Sequence, residues 1–170
     1  MVKAPVQAPA WALPVRLIHW SVAALVLVNL FNETGKLHRS LGYVAAGLVV
    51  LRLVYGLLSA AGSSASLRPP SFSQMWAHVR ELMRGEATPH AGHNPLGYWM
   101  ALALWALILA LGVTGWMTRL DEYWGEEWLM ALHEQLAFVL QACIPLHLAG
   151  VVLMSRLQRV SLVRAMIRPH

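Results

Sequence analysis

The run at 128–156, WLMALHEQLAFVLQACIPLHLAGVVLMSR, constrains this chain more than any other stretch. It is long and apolar enough to cross a bilayer, yet it carries His133 and His147. An imidazole in hydrocarbon is costly, so two in one span need partners. The fourteen residues that separate them correspond to about 21 Å of helix rise and, at about 100° per residue, bring both rings to nearly the same face. That geometry suits two ligand positions at two depths. The competing expectation is a pair of core histidines hydrogen-bonded to neighbouring helices.

Three further apolar runs, at about 14–31, 38–61 and 95–117, accompany it. With 58% hydrophobic and 12% charged residues the chain lies far from the soluble balance, in which about a quarter of residues are charged. It reads as one integral membrane domain over 1–170, an all-α four-helix bundle in a lipid bilayer. The net charge of +5 raises nucleic acid as a partner, but the basic residues flank apolar runs instead of forming a soluble patch, which excludes it. Eight tryptophans suit two membrane interfaces. Cys143 is the only cysteine and cannot form an internal disulfide.

Residues 1–13 are rich in Ala and Pro and are expected to be mobile or to lie on the membrane surface. Span one opens at Pro14. A signal peptide is the alternative there, but NETGK follows the apolar run where a small-residue cleavage site would stand. Residues 32–37 are expected to form a polar turn. Span two contains Gly42, Ala45, Ala46 and Gly47, small enough to admit a neighbouring helix, a flat ligand or a second copy of the chain in a homodimer. The connection 62–94 is broken by GSSAS, RPPS and GEATPHAGHNP. Within it, SQMWAHVRELMRG places Met75, Trp76, Val79, Leu82 and Met83 on one face and Gln74, His78, Arg80, Glu81 and Arg84 elsewhere, with Gly85 as a stop. This predicts a short amphipathic helix in the interface between spans two and three. Span three holds no histidine and a single polar interruption, Thr114. An acidic connection, 118–127, leads into span four, where Pro145 predicts a bend.

Basic residues are retained on the cytoplasmic side of a membrane. One side holds Lys3, Arg16, Arg52, Arg68, Arg80, Arg84, Arg156, Arg159, Arg164 and Arg168; the other holds Lys36, Arg39 and Arg119. Both termini are therefore expected in the cytoplasm, in a multi-pass protein of a cell inner membrane. On this topology His38 and His133 share the outer depth, and His19 and His147 the inner one.

Two histidine pairs, each drawn from different helices, can clamp the iron of a haem, which brings four nitrogens of its own. Zinc or copper also takes imidazole, but structural zinc wants four N or S ligands, and the inner pair has no cysteine or carboxylate beside it. Haem propionates need cationic donors. Arg52 lies fourteen residues after His38 and so on the same face, at the depth of the inner pair. It is a candidate for an inner propionate or a quinone head group. Arg16 and Arg39 are candidates for the same work, against simple snorkelling to lipid phosphate. Glu134, Ser21, Ser40 and backbone carbonyls are candidate partners for the second imidazole nitrogens.

The residues RLIHW at 16–20, the pattern GxxHxxxGY from Gly35 to Tyr43, LRLVYG at 51–56, GHNPLG at 92–97, and His133-Glu134 followed by His147 and LVRAMI at 162–167 resemble the bacterial cytochrome b561 and nickel-iron hydrogenase b-type cytochrome family. The resemblance covers nearly the whole chain. It departs at Ala12, where relatives often have an acid, and at Tyr55, where many have tryptophan. It implies a membrane cytochrome with two haems b, ligated by His19, His38, His133 and His147, that passes electrons between a quinone or quinol and a periplasmic or membrane redox partner.

With both axial positions filled by histidine the iron has no open site, which favours outer-sphere electron transfer over oxygen chemistry. The acidic residues Asp121, Glu122, Glu126 and Glu127 could steer a basic soluble cytochrome c to the outer side, or form a solvated loop only. His78, His90 and His93 gather on the inner side, where unliganded loop histidines are the expectation. Two rival functions stand: a stand-alone oxidoreductase acting on quinol or superoxide at a haem edge, and a non-redox anchor or transporter that uses the histidines as polar helix contacts.

Overall fold

The computed structural model describes residues 11–84 and 94–168, and among these all regular structure is helical. The elements are α1 (Leu13–Leu30), α2 (Gly35–Leu58), α3 (Phe72–Met83), α4 (Pro95–Met117), a 3-10 turn (Asp121–Tyr123), α5 (Glu127–Leu157) and α6 (Leu162–Ile167). Helices α1, α2, α4 and α5 are each long and apolar enough to cross a membrane. Gly85, His90 and His93 lie outside the described residues, as do residues 1–10.

Local chemistry sets the ends. Pro14 and Pro95 occupy first-turn positions of α1 and α4, where no intrahelical N–H is needed. The Asn94 side chain accepts the Gly97 N–H at 2.7 Å. Helix α2 starts at Gly35, inside the stretch expected to be a turn, and Gly35 takes the left-handed φ of 87° that reverses the chain there. Helix α5 runs unbroken through Pro145, whose missing N–H leaves the Gln141 carbonyl without its usual intrahelical donor.

The bundle is arranged as a chain of neighbours. Helix α1 packs on α2, α2 on α4, and α4 on α5. The backbone of α5 approaches α1 and α2 only sparsely, which leaves a slot along the fourth side. All four spans meet at mid-depth, where Ala45, Val49, Ile108 and Leu140 are buried together and Val22, Leu25 and Val26 of α1 pack against them. In lipid the alternative to this packing is another apolar surface, so close fit between helices stabilises the bundle more than hydrophobic burial does. Leu17, Leu27, Val54, Val113 and Val152 stay exposed, as lipid-facing residues do.

Residues 11–13 and α6 are packed together near the two limits of the described residues. Trp11, Val15, Ala65 and Ala165 form a second buried cluster, joining the start of α1, the 60s loop and α6. The Ala12 N–H donates to Ser64 Oγ at 3.2 Å, and Trp20 Nε1 donates to the Met166 carbonyl at 3.0 Å. The expectation of a mobile start thus fails for residues 11–13, because the Trp11 ring finds a pocket. The chain reaches that pocket by a reversal after α5, in which Val160 N–H donates to Ser155 O at 3.1 Å and Arg159 N–H to Arg156 O at 3.3 Å. Helix α3 forms as expected, with a Ser71–Gln74 capping box. Its inward residue is His78, while Trp76 and Met83 of the expected apolar face are exposed, as residues set toward lipid would be. The helix packs on α4, so its orientation follows that contact and not its hydrophobic periodicity alone.

Candidate haem-binding sites

Four histidines from three helices meet in two pairs. His38, in the first turn of α2, faces His133 of α5 with ring centroids 6.2 Å apart and planes inclined at 72°. His19 of α1 faces His147 of α5 at 6.4 Å and 52°. Both pairs bridge the slot that separates α5 from α1 and α2, and the apolar layer around Leu140 lies between them, seven residues from either α5 histidine.

These spacings can be tested against a metal bound between the rings. Two metal–imidazole bonds of about 2 Å, with each ring centre about 1.1 Å behind its bonding nitrogen, would place two rings that face each other across a metal with their centres about 6.2 Å apart. The observed separations of 6.2 and 6.4 Å match that distance. Among the described residues no group of three or more His, Cys, Asp or Glu could hold a metal ion. Two imidazoles per site therefore suit a metal that carries its remaining ligands with it, as haem iron does.

Hydrogen bonds decide which nitrogen each outer ring presents. His38 Nδ1 lies 2.7 Å from the Asn32 carbonyl, which can only accept, so this nitrogen carries the proton. His133 Nδ1 lies 2.8 Å from Thr114 Oγ1. The Thr114 hydroxyl has the Ala110 carbonyl as an acceptor at 2.8 Å, which frees its oxygen to accept an Nδ1–H from the ring. The surroundings of both rings accommodate the Nδ1–H tautomer, in which Nε2 keeps the lone pair that a metal needs. Among the candidates for this role the backbone carbonyl is found. Ser21, Ser40 and Glu134 are exposed and do not serve, and Thr114 was not foreseen. The signal was present in the sequence as the one hydroxyl in an otherwise apolar span.

The His38–His133 pair opens into a cavity of about 920 Å³, at the upper end of the range of about 300–1,000 Å³ usual for ligand pockets. His38, His133, Gly42 and Gly115 line its depth, and Arg39, Arg119, Glu33 and Glu134 its polar parts. A Cβ on Gly115 would come within 3.3 Å of His133 Cε1, so glycine there admits the ring. Arg119 is further held with its guanidinium 5.0 Å over the Trp124 ring.

Of the arginines singled out in the sequence, Arg39 lines this cavity and Arg16 and Arg52 do not. Arg52 is buried, 3% exposed, and its guanidinium lies 5.4 Å over Trp105 of α4. Its Nη1 and the Arg16 Nε are buried without an acceptor among the described residues. Buried donors of this kind are costly unless a carboxylate, carbonyl or water completes them, so they fit an acidic cofactor. His78 is buried with Nδ1 3.7 Å from Glu81, in place of the solvated loop position expected for it.

A search of curated proteins and a search of solved structures each returned no match. The family model described as prokaryotic cytochrome b561 matches residues 10–169. The chain belongs to the prokaryotic cytochrome b561 family, and is a membrane b-type cytochrome of electron transfer.

Proposed function

We propose that this cytochrome holds two haems b, one between His38 and His133 and one between His19 and His147, and moves electrons between a quinone pool and a redox partner at the outer face. The observation that carries this is the pair of matched ring separations, 6.2 and 6.4 Å, between α5 and the helices α1 and α2, which its backbone approaches only sparsely.

Each haem, when bound, supplies a one-electron iron couple. The chain's own residues do the rest. His38 with His133 and His19 with His147 would hold the irons and leave oxygen no coordination site. Asn32 and Thr114 orient the outer rings. Ala45, Val49, Ile108 and Leu140 keep water out of the layer between the two pairs. Arg39 and Arg119 stand at the outer cavity as partners for propionates. Arg52 and Arg16 offer buried donors to an inner propionate or to the carbonyl of a quinone head group. The lysine and arginine distribution favours an inner membrane with both termini in the cytoplasm. The exposed acids Asp121, Glu122, Glu126 and Glu127 then face the side of the outer partner, and a basic cytochrome c is the chemistry they suit.

The test is the absorption spectrum of the purified chain, oxidised and reduced, with haem quantified per polypeptide. Two b haems are expected. His147→Ala should lose one and leave the other. A preparation that holds no haem, or a His147→Ala protein that retains both, refutes the assignment.

A further inference from the structure

We propose that Thr114 is a positioning residue that lowers the reduction potential of the outer haem, acting through His133 and leaving the inner haem unaffected. The inference rests on His133 being a ligand, as proposed above, and concerns what sets the electronic character of that ligand.

Thr114 is the single polar side chain of α4 between Tyr98 and Thr118 apart from tryptophan, and it is buried, 7% exposed. A hydroxyl at that depth has one proton to donate. It is engaged within the helix, at 2.8 Å from Ala110 O, with Leu111 O at 3.3 Å as a weaker second acceptor. The oxygen is therefore polarised as an acceptor, and it meets His133 Nδ1 at 2.8 Å. Hydrogen bonds linked in series strengthen one another. Gly115, one residue on, presses the backbone of α4 against the same ring, since even a Cβ would stand 3.3 Å from Cε1. The imidazole is thus held in tautomer and in orientation from one helix turn.

The electronic consequence follows from which oxidation state gains. An imidazole whose distal N–H is drawn toward an acceptor is a stronger electron donor to its metal. That favours ferric over ferrous iron. The couple takes up one electron at iron, and the Nδ1 proton stays in its hydrogen bond in both states, so no proton is released. The inner rings, His19 and His147, make no hydrogen bond among the described residues, and the Thr114 effect has no route to them.

The experiment is potentiometric titration of the full-length, haem-loaded protein, followed at the reduced b-type absorption bands. Thr114→Val keeps the branched shape and removes the acceptor; Thr114→Ser keeps the hydroxyl. We expect Thr114→Val to raise one midpoint by roughly tenfold in the reduction constant, which is about 59 mV for a one-electron couple. The wave that moves should be the one that survives in His147→Ala, and Thr114→Ser should stay near the wild type. Selective loss of the outer haem from Thr114→Val, with retention in Thr114→Ser, also supports the acceptor role. Two haems with unchanged midpoints in Thr114→Val, or equal shifts of both waves, overturn it. A His133→Ala protein with its full haem complement overturns the ligand assignment instead, and so separates the two failures.

Discussion

Gly56, in the last turn of α2, is where the buried Arg52 and the 60s loop are packed together, and replacing it with alanine probes that close approach. The Leu67 N–H donates to the Gly56 carbonyl at 3.1 Å, which draws the loop against the helix. A Cβ at Gly56 would overlap the Leu67 side chain and stand 2.5 Å from Arg52 Nη1. Overpacking of this kind costs about 1–3 kcal/mol, while alanine in place of glycine in a helix returns about 0.5–1 kcal/mol. A net loss of about 1–2 kcal/mol follows for Gly56→Ala. Gly47, in the same helix, has nothing within 4 Å of its Cβ position, so Gly47→Ala should instead gain up to about 1 kcal/mol. Equilibrium unfolding in mixed micelles, read by helical circular dichroism, compares the two. The double variant Gly56→Ala with Leu67→Ala completes a cycle, because the overlap with Leu67 is then removed and that part of the cost should vanish, leaving the contact with Arg52 Nη1. Equal stabilities for Gly56→Ala and Gly47→Ala, or no coupling to Leu67, would refute the close approach.

Arg159 holds a left-handed φ of 54° at the reversal after α5; Arg159→Gly should stabilise the protein by about 1 kcal/mol in the same unfolding assay. Trp20→Phe removes the donor to the Met166 carbonyl at 3.0 Å. The expected loss is about 0.5–1.5 kcal/mol, with faster amide hydrogen exchange confined to α6.

The spans were legible because hydrocarbon imposes length and composition on any helix that crosses it. The pairing of His38 with His133 and His19 with His147 was legible as well, since helical rise and antiparallel topology fix depth. Depth and face are all that periodicity encodes. It gave no hint that α3 would turn His78 inward, because that depends on how a short helix meets α4. Nor could it place Trp11 in a pocket built from Ala65 and Ala165, residues more than fifty and one hundred fifty positions away in sequence. The three candidate arginines show the same limit. Their spacing placed Arg52 on the His38 face, and the structure lays its guanidinium over a tryptophan of the neighbouring helix.

Helix α4 carries none of the four histidines, yet it decides the geometry of the outer pair. It is the neighbour of both α2 and α5, and so the wall against which the two helices carrying His38 and His133 are measured. At Gly112 a Cβ would stand 2.9 Å from that of Ala46, so α2 can come no closer and a larger residue would push it away. One turn further on, Thr114 and Gly115 receive the His133 ring, fixing its tautomer and its distance from α4. Toward the other end Trp105 lies under Arg52. Small residues and one hydroxyl thus set where α2 and α5 stand, and with them the 6.2 Å between His38 and His133. A ligand histidine can be found by its cost in hydrocarbon. The residues that hold the span between two such histidines are cheap, small and apolar, and only the packing of the bundle distinguishes them from filler.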